Sequence, residues 1–173
     1  RRSSGACRVT PGRSAARGGV AGAVSRSISD SSGTSGAPPG SVREIVVSVI
    51  ESWVIGDDSP VPVSSAVVPE VLRSRIGSGR FETRLTSSSG RLLTFVTNTE
   101  RAMVMLSEDD GDPGEHAVDP GAQGVSRGFL LSNGQDDEYP DEDTVPVGEA
   151  IGLVEQIVGT GSWPAGARWV ADR

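Results

Sequence analysis

The sequence predicts an α+β fold: an antiparallel β-sheet of meander and hairpin strands packed by two helices, with a disordered N-terminal tail. Four observations predict it. Segments 80–87, 91–98 and 101–108 have strand length and are separated by Ser88-Ser89-Gly90 and Asn98-Thr99-Glu100, breaks of hairpin length. Within the first of them Phe81, Thr83 and Leu85 alternate with Glu82, Arg84 and Thr86, a period of two that leaves one sheet face solvated. Asn133-Gly134, between 129–131 and 135–139, is the strongest short hairpin signal. Finally, Val147, Ala150, Ile151, Val154, Ile157 and Val158 recur at the spacing that stacks side chains on one helix face, with Glu149, Glu155 and Gln156 on the other.

Taken in order, residues 1–41 are rich in Arg, Ser, Gly and Ala and hold almost nothing large and apolar, so they are expected to be disordered. A folded domain is expected over 42–173. Segment 42–55 is dense in β-branched residues and reads as a strand buried on much of both faces; a helical reading is also open for its second half. After the break at 56–63, Ser64 or Ser65 opens a short helix with Pro69 in its first turn. The Gly, Pro and Asp content of 109–124 marks a loop, with room for a short strand at 116–118. Pro146 suits the first position of the second helix, Gly159 and Gly161 suit its end, and Pro164 prevents its resumption. An apolar strand, 167–171, centred on Trp169, closes the chain. About 130 ordered residues bury roughly two-thirds of their unfolded surface, enough to fold alone.

Composition narrows the function. Cys7 is the only cysteine, which excludes an intramolecular disulfide and a metal site built on several thiolates. No apolar run approaches the ~18 residues of a membrane span, so a soluble, cytoplasmic protein is expected. Arg1-Arg2 has the form of a twin-arginine leader, but the apolar stretch after it is too short; a first residue other than Met fits a fragment or a start placed too far upstream. There is no Lys, and the Arg, Gly, Ala, Val and Pro bias matches a GC-rich genome such as an actinobacterium's. His116, the sole histidine, lies in an acidic loop and reads as a solvated residue before a general base. The stretch from Asp110 to Glu115 lacks the acid ladder and central Gly of an EF-hand. No metal, cofactor or direct nucleic-acid site is expected, and the protein is read as non-enzymatic.

Charge is unevenly placed. Residues 1–43 carry a net +6 and residues 44–173 a net −13. Twelve acids lie between 108 and 143, opposed only by Arg127: Glu108, Asp109, Asp110, Asp112, Glu115 and Asp119, then Asp136, Asp137, Glu138, Asp141, Glu142 and Asp143. Such concentration raises self-repulsion in the folded state. From about residue 128 to 171 the chain shows Tyr139-Pro140, then Val145-Pro146-Val147, an amphipathic helix, a Gly161-x-x-Pro164 turn and Trp169 near the end. That order resembles the first-numbered immunity-protein family of bacterial polymorphic toxin systems. The resemblance implies a protein that binds and neutralises a cognate toxin domain, often of the deaminase superfamily. Under it the acidic loops imitate phosphate charge in the basic cleft of a nucleic-acid-directed toxin. The candidate toxin-binding residues are Asp109, Asp110, Asp112, Glu115, Asp136, Asp137, Glu138, Asp141, Glu142, Asp143 and, as an exposed aromatic anchor, Trp163. The competing readings are an acidic interaction module of an unrelated pathway with no toxin partner, and a carboxylate hydrolase.

Overall fold

The computed structural model describes residues 51–56 and 59–172. The tail expected over 1–41, its boundary with the folded domain, Cys7 and most of the strand expected over 42–55 lie outside the described residues. The strands are β1 (Trp53–Ile55), β2 (Val61–Val63), β3 (Glu82–Ser87), β4 (Leu92–Thr97), β5 (Arg101–Ser107), β6 (Glu115–Ala117), β7 (Val125–Leu130), β8 (Asp136–Pro140), β9 (Val145–Pro146) and β10 (Trp169–Ala171). The helices are α1 (Val68–Gly77) and α2 (Val147–Thr160), with a 3-10 turn at Asp141–Asp143. The fold is α+β. One antiparallel sheet runs β10-β6-β5-β4-β3-β1-β2, β9 pairs with the start of β5, and β7 and β8 form a separate hairpin.

The β3-β4-β5 meander follows the predicted period, and its second turn is held by side chains. Thr99 sits at φ 81°, a conformation a β-branched residue adopts only under constraint. Asn98 Oδ1 accepts the N–H groups of Glu100 (3.1 Å) and Arg101 (2.8 Å), and Thr97 Oγ1 accepts that of Thr99 (3.0 Å). These bonds supply what a glycine supplies elsewhere.

The main core lies between one sheet face and both helices. Leu85, Leu93, Phe95, Val104 and Leu106 from the sheet meet Val68 and Leu72 of α1 and Ile151, Val154 and Ile157 of α2. Burying such side chains contributes roughly 1.5–3 kcal/mol each before chain entropy is counted. The opposite face is not simply solvated, as the alternation led one to expect. At its Glu82-Val96 end it is covered by the β7-β8 hairpin, which packs on β4. Phe129 and Val96 are both buried there, outside the helix-side core, and Tyr139 meets Phe129 edge-on at 4.9 Å. Asn98 Nδ2 donates to the Arg127 carbonyl at 3.0 Å, tying the meander turn to the hairpin.

Four local expectations are corrected. Pro146 is not the first helical residue: its ψ of 139° keeps it extended in the bridge to β5, and the helix begins at Val147. Neither Ser64 nor Ser65 caps α1; the Ser64 carbonyl accepts from Val67 and Val68 in a preceding turn, and Val67 holds the cap position without a side-chain bond. Where the structure describes it, the second half of 42–55 is a strand and not a helix, with Trp53 and Ile55 in the core and Val54 half-buried on the other side. At the other end of α2 only Gly161, at φ 73°, takes the left-handed conformation; Gly159 remains helical.

Candidate interaction surface

The acids do not form one continuous patch; three different pieces of structure carry them. Glu108 to Asp112 form the turn after β5. There Asp109 accepts from the Gly111 N–H (2.8 Å), Asp112 from the Glu108 N–H (2.9 Å), and Glu108 pairs with Arg91 (3.2 Å). Asp136, Asp137 and Glu138 lie on β8, the second strand of the hairpin. Asp137 accepts from Gln135 Nε2 (2.6 Å) and from the Tyr139 hydroxyl (3.2 Å), while Glu138 pairs with Arg127 (2.9 Å). Burial and the neighbouring Asp137 carboxylate push the Tyr139 hydroxyl up to about 12.

The third piece is a seam built on Arg101, the first residue of β5. Its guanidinium donates to the hydroxyl and carbonyl of Thr144, the Asp141 carbonyl and the Asp119 carboxylate, at 2.7–2.8 Å. Asp141 also accepts from Ser126 Oγ at 2.6 Å. Asp119 and Asp141 to Asp143 thus meet, although 22 or more residues separate them in the chain. The β5 turn acids lie at the far end of that strand, roughly 20 Å away at ~3.4 Å per residue. Beside the seam His116, largely buried, places Nδ1 3.0 Å from Asp172 and Nε2 3.4 Å from Asp143. It is a clamped residue of β6, not a solvated one.

Glu115 accepts the indole N–H of Trp163 at 2.8 Å. Trp163 packs against the core and stacks on Trp169 (6.4 Å, 13° between rings). The exposed aromatic is therefore Trp169, at 43%, and not Trp163: the turn folds Trp163 inward, while Trp169 stands on the edge strand. The chain matches no family model and no curated protein. The resemblance of residues 128–171 to the immunity family rests on those residues themselves.

Asp110, Asp136 and Glu142 are exposed and make no side-chain hydrogen bond or ion pair among the described residues. Sequence reasoning also passed over an open cleft of about 810 Å³ between the end of α1 and the hairpin tip, lined by Arg75, Arg80, Phe81, Glu82, Leu130 and Ser132. Glu82 is buried there and accepts from the Ser132 N–H (2.6 Å) and Arg84 Nε (2.7 Å). Burial alone would raise its carboxyl, but these donors outweigh it and hold it below the ordinary value of 4.5. Such a carboxylate stays ionised and is a fastening point, the opposite of a poised general acid. Among the described residues no group of three or more His, Cys, Asp and Glu is placed to hold a metal ion, and no helix is long and apolar enough to cross a membrane.

Proposed function

We propose that the domain is an immunity protein that binds and neutralises a cognate bacterial toxin domain, of a nucleic-acid-directed, deaminase-type class, by presenting carboxylates to the toxin's basic cleft. The observation that carries this reading is the hairpin. Its outer strand displays Asp136 and Glu138 to solvent, and its inner side is fixed by buried Phe129, the Asn98 bond and the Ser132–Glu82 bond. An acidic strand fastened in this way loses little conformational freedom on binding, which favours affinity. The unpartnered Asp110 and Glu142 add charge at other points of the surface and so favour fast encounter, toward ~10⁸–10⁹ M⁻¹s⁻¹ at low salt. A stable complex of this kind buries roughly 1,200–2,000 Å².

The test is rescue. The product of the neighbouring gene is expressed in a bacterium with and without the full chain, and toxicity, growth and co-purification are followed. Rescue with a complex whose affinity falls as salt rises is the expected result. Absence of both rescue and complex, with both proteins folded, overturns the reading in favour of an interaction module with no toxin partner. A complex indifferent to ionic strength removes the acidic surface from the mechanism.

A further inference from the structure

Among the described strands the main sheet ends in β2 on one side and β10 on the other, and the two edges are built differently. At the centre of β2 is Pro62, which has no N–H to offer a further strand. β10 is Trp169-Val170-Ala171, with no proline and no charge, and all three residues are exposed. Its pairing fixes where its backbone groups point. The Arg168 carbonyl accepts from the Val118 N–H (2.9 Å) and the Asp172 N–H donates to the Gly114 carbonyl (2.8 Å). Residues 168, 170 and 172 therefore turn toward β6. By the alternation of an antiparallel ladder, the N–H and C=O of Trp169 and Ala171 point outward. Among the described residues no strand pairs with them.

Side chains on both faces add selectivity. On the helix side Trp169 lies flat against Trp163, which Glu115 holds in place. On the other side Val170, 43% exposed, sits opposite His116, and the part-exposed carboxylates of Asp143 and Asp172 flank that histidine. Among the described residues Arg168 is the guanidinium that borders the strand in sequence. We infer that β10 is a strand-addition site for an extended segment of a protein partner whose side chains alternate between apolar and basic. Its apolar residues cover Trp169, its basic residues reach Asp143 and Asp172, and its backbone takes up the outward groups of Trp169 and Ala171. This does not require the partner to be a toxin.

The experiment uses the full chain and a fluorescent synthetic peptide of alternating Val and Arg, with a Val-Glu peptide as its counterpart, read by anisotropy. The Val-Arg peptide is expected to bind and the Val-Glu peptide not. Ala171→Pro removes an outward N–H and leaves the β6 ladder intact, so it should keep the fold, seen by circular dichroism, and weaken peptide binding on the order of tenfold, as should Trp169→Ala. Methylating alternate peptide amides tests the same bonds without altering the protein: one register should abolish binding and the other leave it. Equal binding by both peptides, or indifference to both methylation registers, overturns the proposal. So does a wild-type chain that self-associates and becomes monomeric with Ala171→Pro, since a second copy would then be the occupant.

Discussion

Asp136 and Asp141 lie five residues apart in the sequence and do opposite work. Asp136 stands on the exposed strand β8 without a side-chain partner among the described residues. Asp141 accepts from Ser126 through its carboxylate, from Arg101 and Thr144 through its carbonyl, and donates its own N–H to Gly124. The same division runs through the rest of the acidic stretch. Acids at the joins between elements (Glu82, Glu115, Asp119) are met by donors from distant parts of the chain, whereas Asp110 and Glu142 are left to water. A run of like charge is thus two populations. One fastens the fold; the other is free to meet a partner.

Breaking the fastened population should have the largest effect. Arg101→Ala strips donors from Asp119, Asp141 and Thr144 together and is expected to cost roughly 2–3 kcal/mol, below the full cost of breaking a buried pair because Asp119 keeps access to water. Urea titration checks this, and a loss under half a kilocalorie would mean that the seam is an ornament of the surface. Glu82→Gln is next, at roughly 1 kcal/mol near neutral pH, because the charge that Ser132 and Arg84 address is gone. Its pH dependence is more telling. Glu82 is held below its ordinary value, so the unfolded chain takes up a proton first as pH falls; the stabilisation is full above 4.5 and disappears below it. The acid limb of the stability curve should therefore be shallower in the variant. Parallel limbs would assign acid unfolding to other groups.

Smaller again is the effect of Tyr139. Its hydroxyl is held neutral in the fold up to about 12, against 10.0 ordinarily. The unfolded chain loses that proton first as pH rises, so the contribution is complete below 10.0 and lost on the way to about 12. Tyr139→Phe should flatten this alkaline decline while keeping the edge-on contact with Phe129, and thermal melts across that range would show it.

Much of the frame was legible in the chain. Alternation at 81–86 located β3, Asn133-Gly134 located the hairpin, and the aliphatic spacing after Pro146 located α2, because each signal is local and repeats along its own element. What was hidden depends on distance. Alternation assigns residues to faces but does not say what covers each face, so Glu82 reads as a solvated-side residue although the hairpin that carries Phe129 covers it. Arg101 finds partners 18, 40 and 43 residues away, and His116 finds one 56 away; no spacing in the sequence marks either. Trp163 and Trp169 could not be told apart as buried and exposed, since that is decided by which of them lies between the core and the other.

The smallest expected change in stability belongs to the second population, and there the comparison is sharpest. Asp136→Lys and Asp110→Lys remove an acid that makes no side-chain bond and ease repulsion among neighbouring carboxylates. Stability should move by no more than about 0.5 kcal/mol. Asp141→Asn, which weakens a charged acceptor at a join, should cost more than either. Binding should rank them in reverse. If the carboxylates guide a basic partner, each reversal slows association with that partner at low salt, and the difference narrows as ionic strength rises and screening shortens the reach of the field. Measured association rates for the three variants across a salt series would separate the populations. Were Asp136→Lys to destabilise the fold as Asp141→Asn does, or to leave the low-salt rate unchanged, the division between fastening and presented acids would fail at the residue on which it rests most heavily.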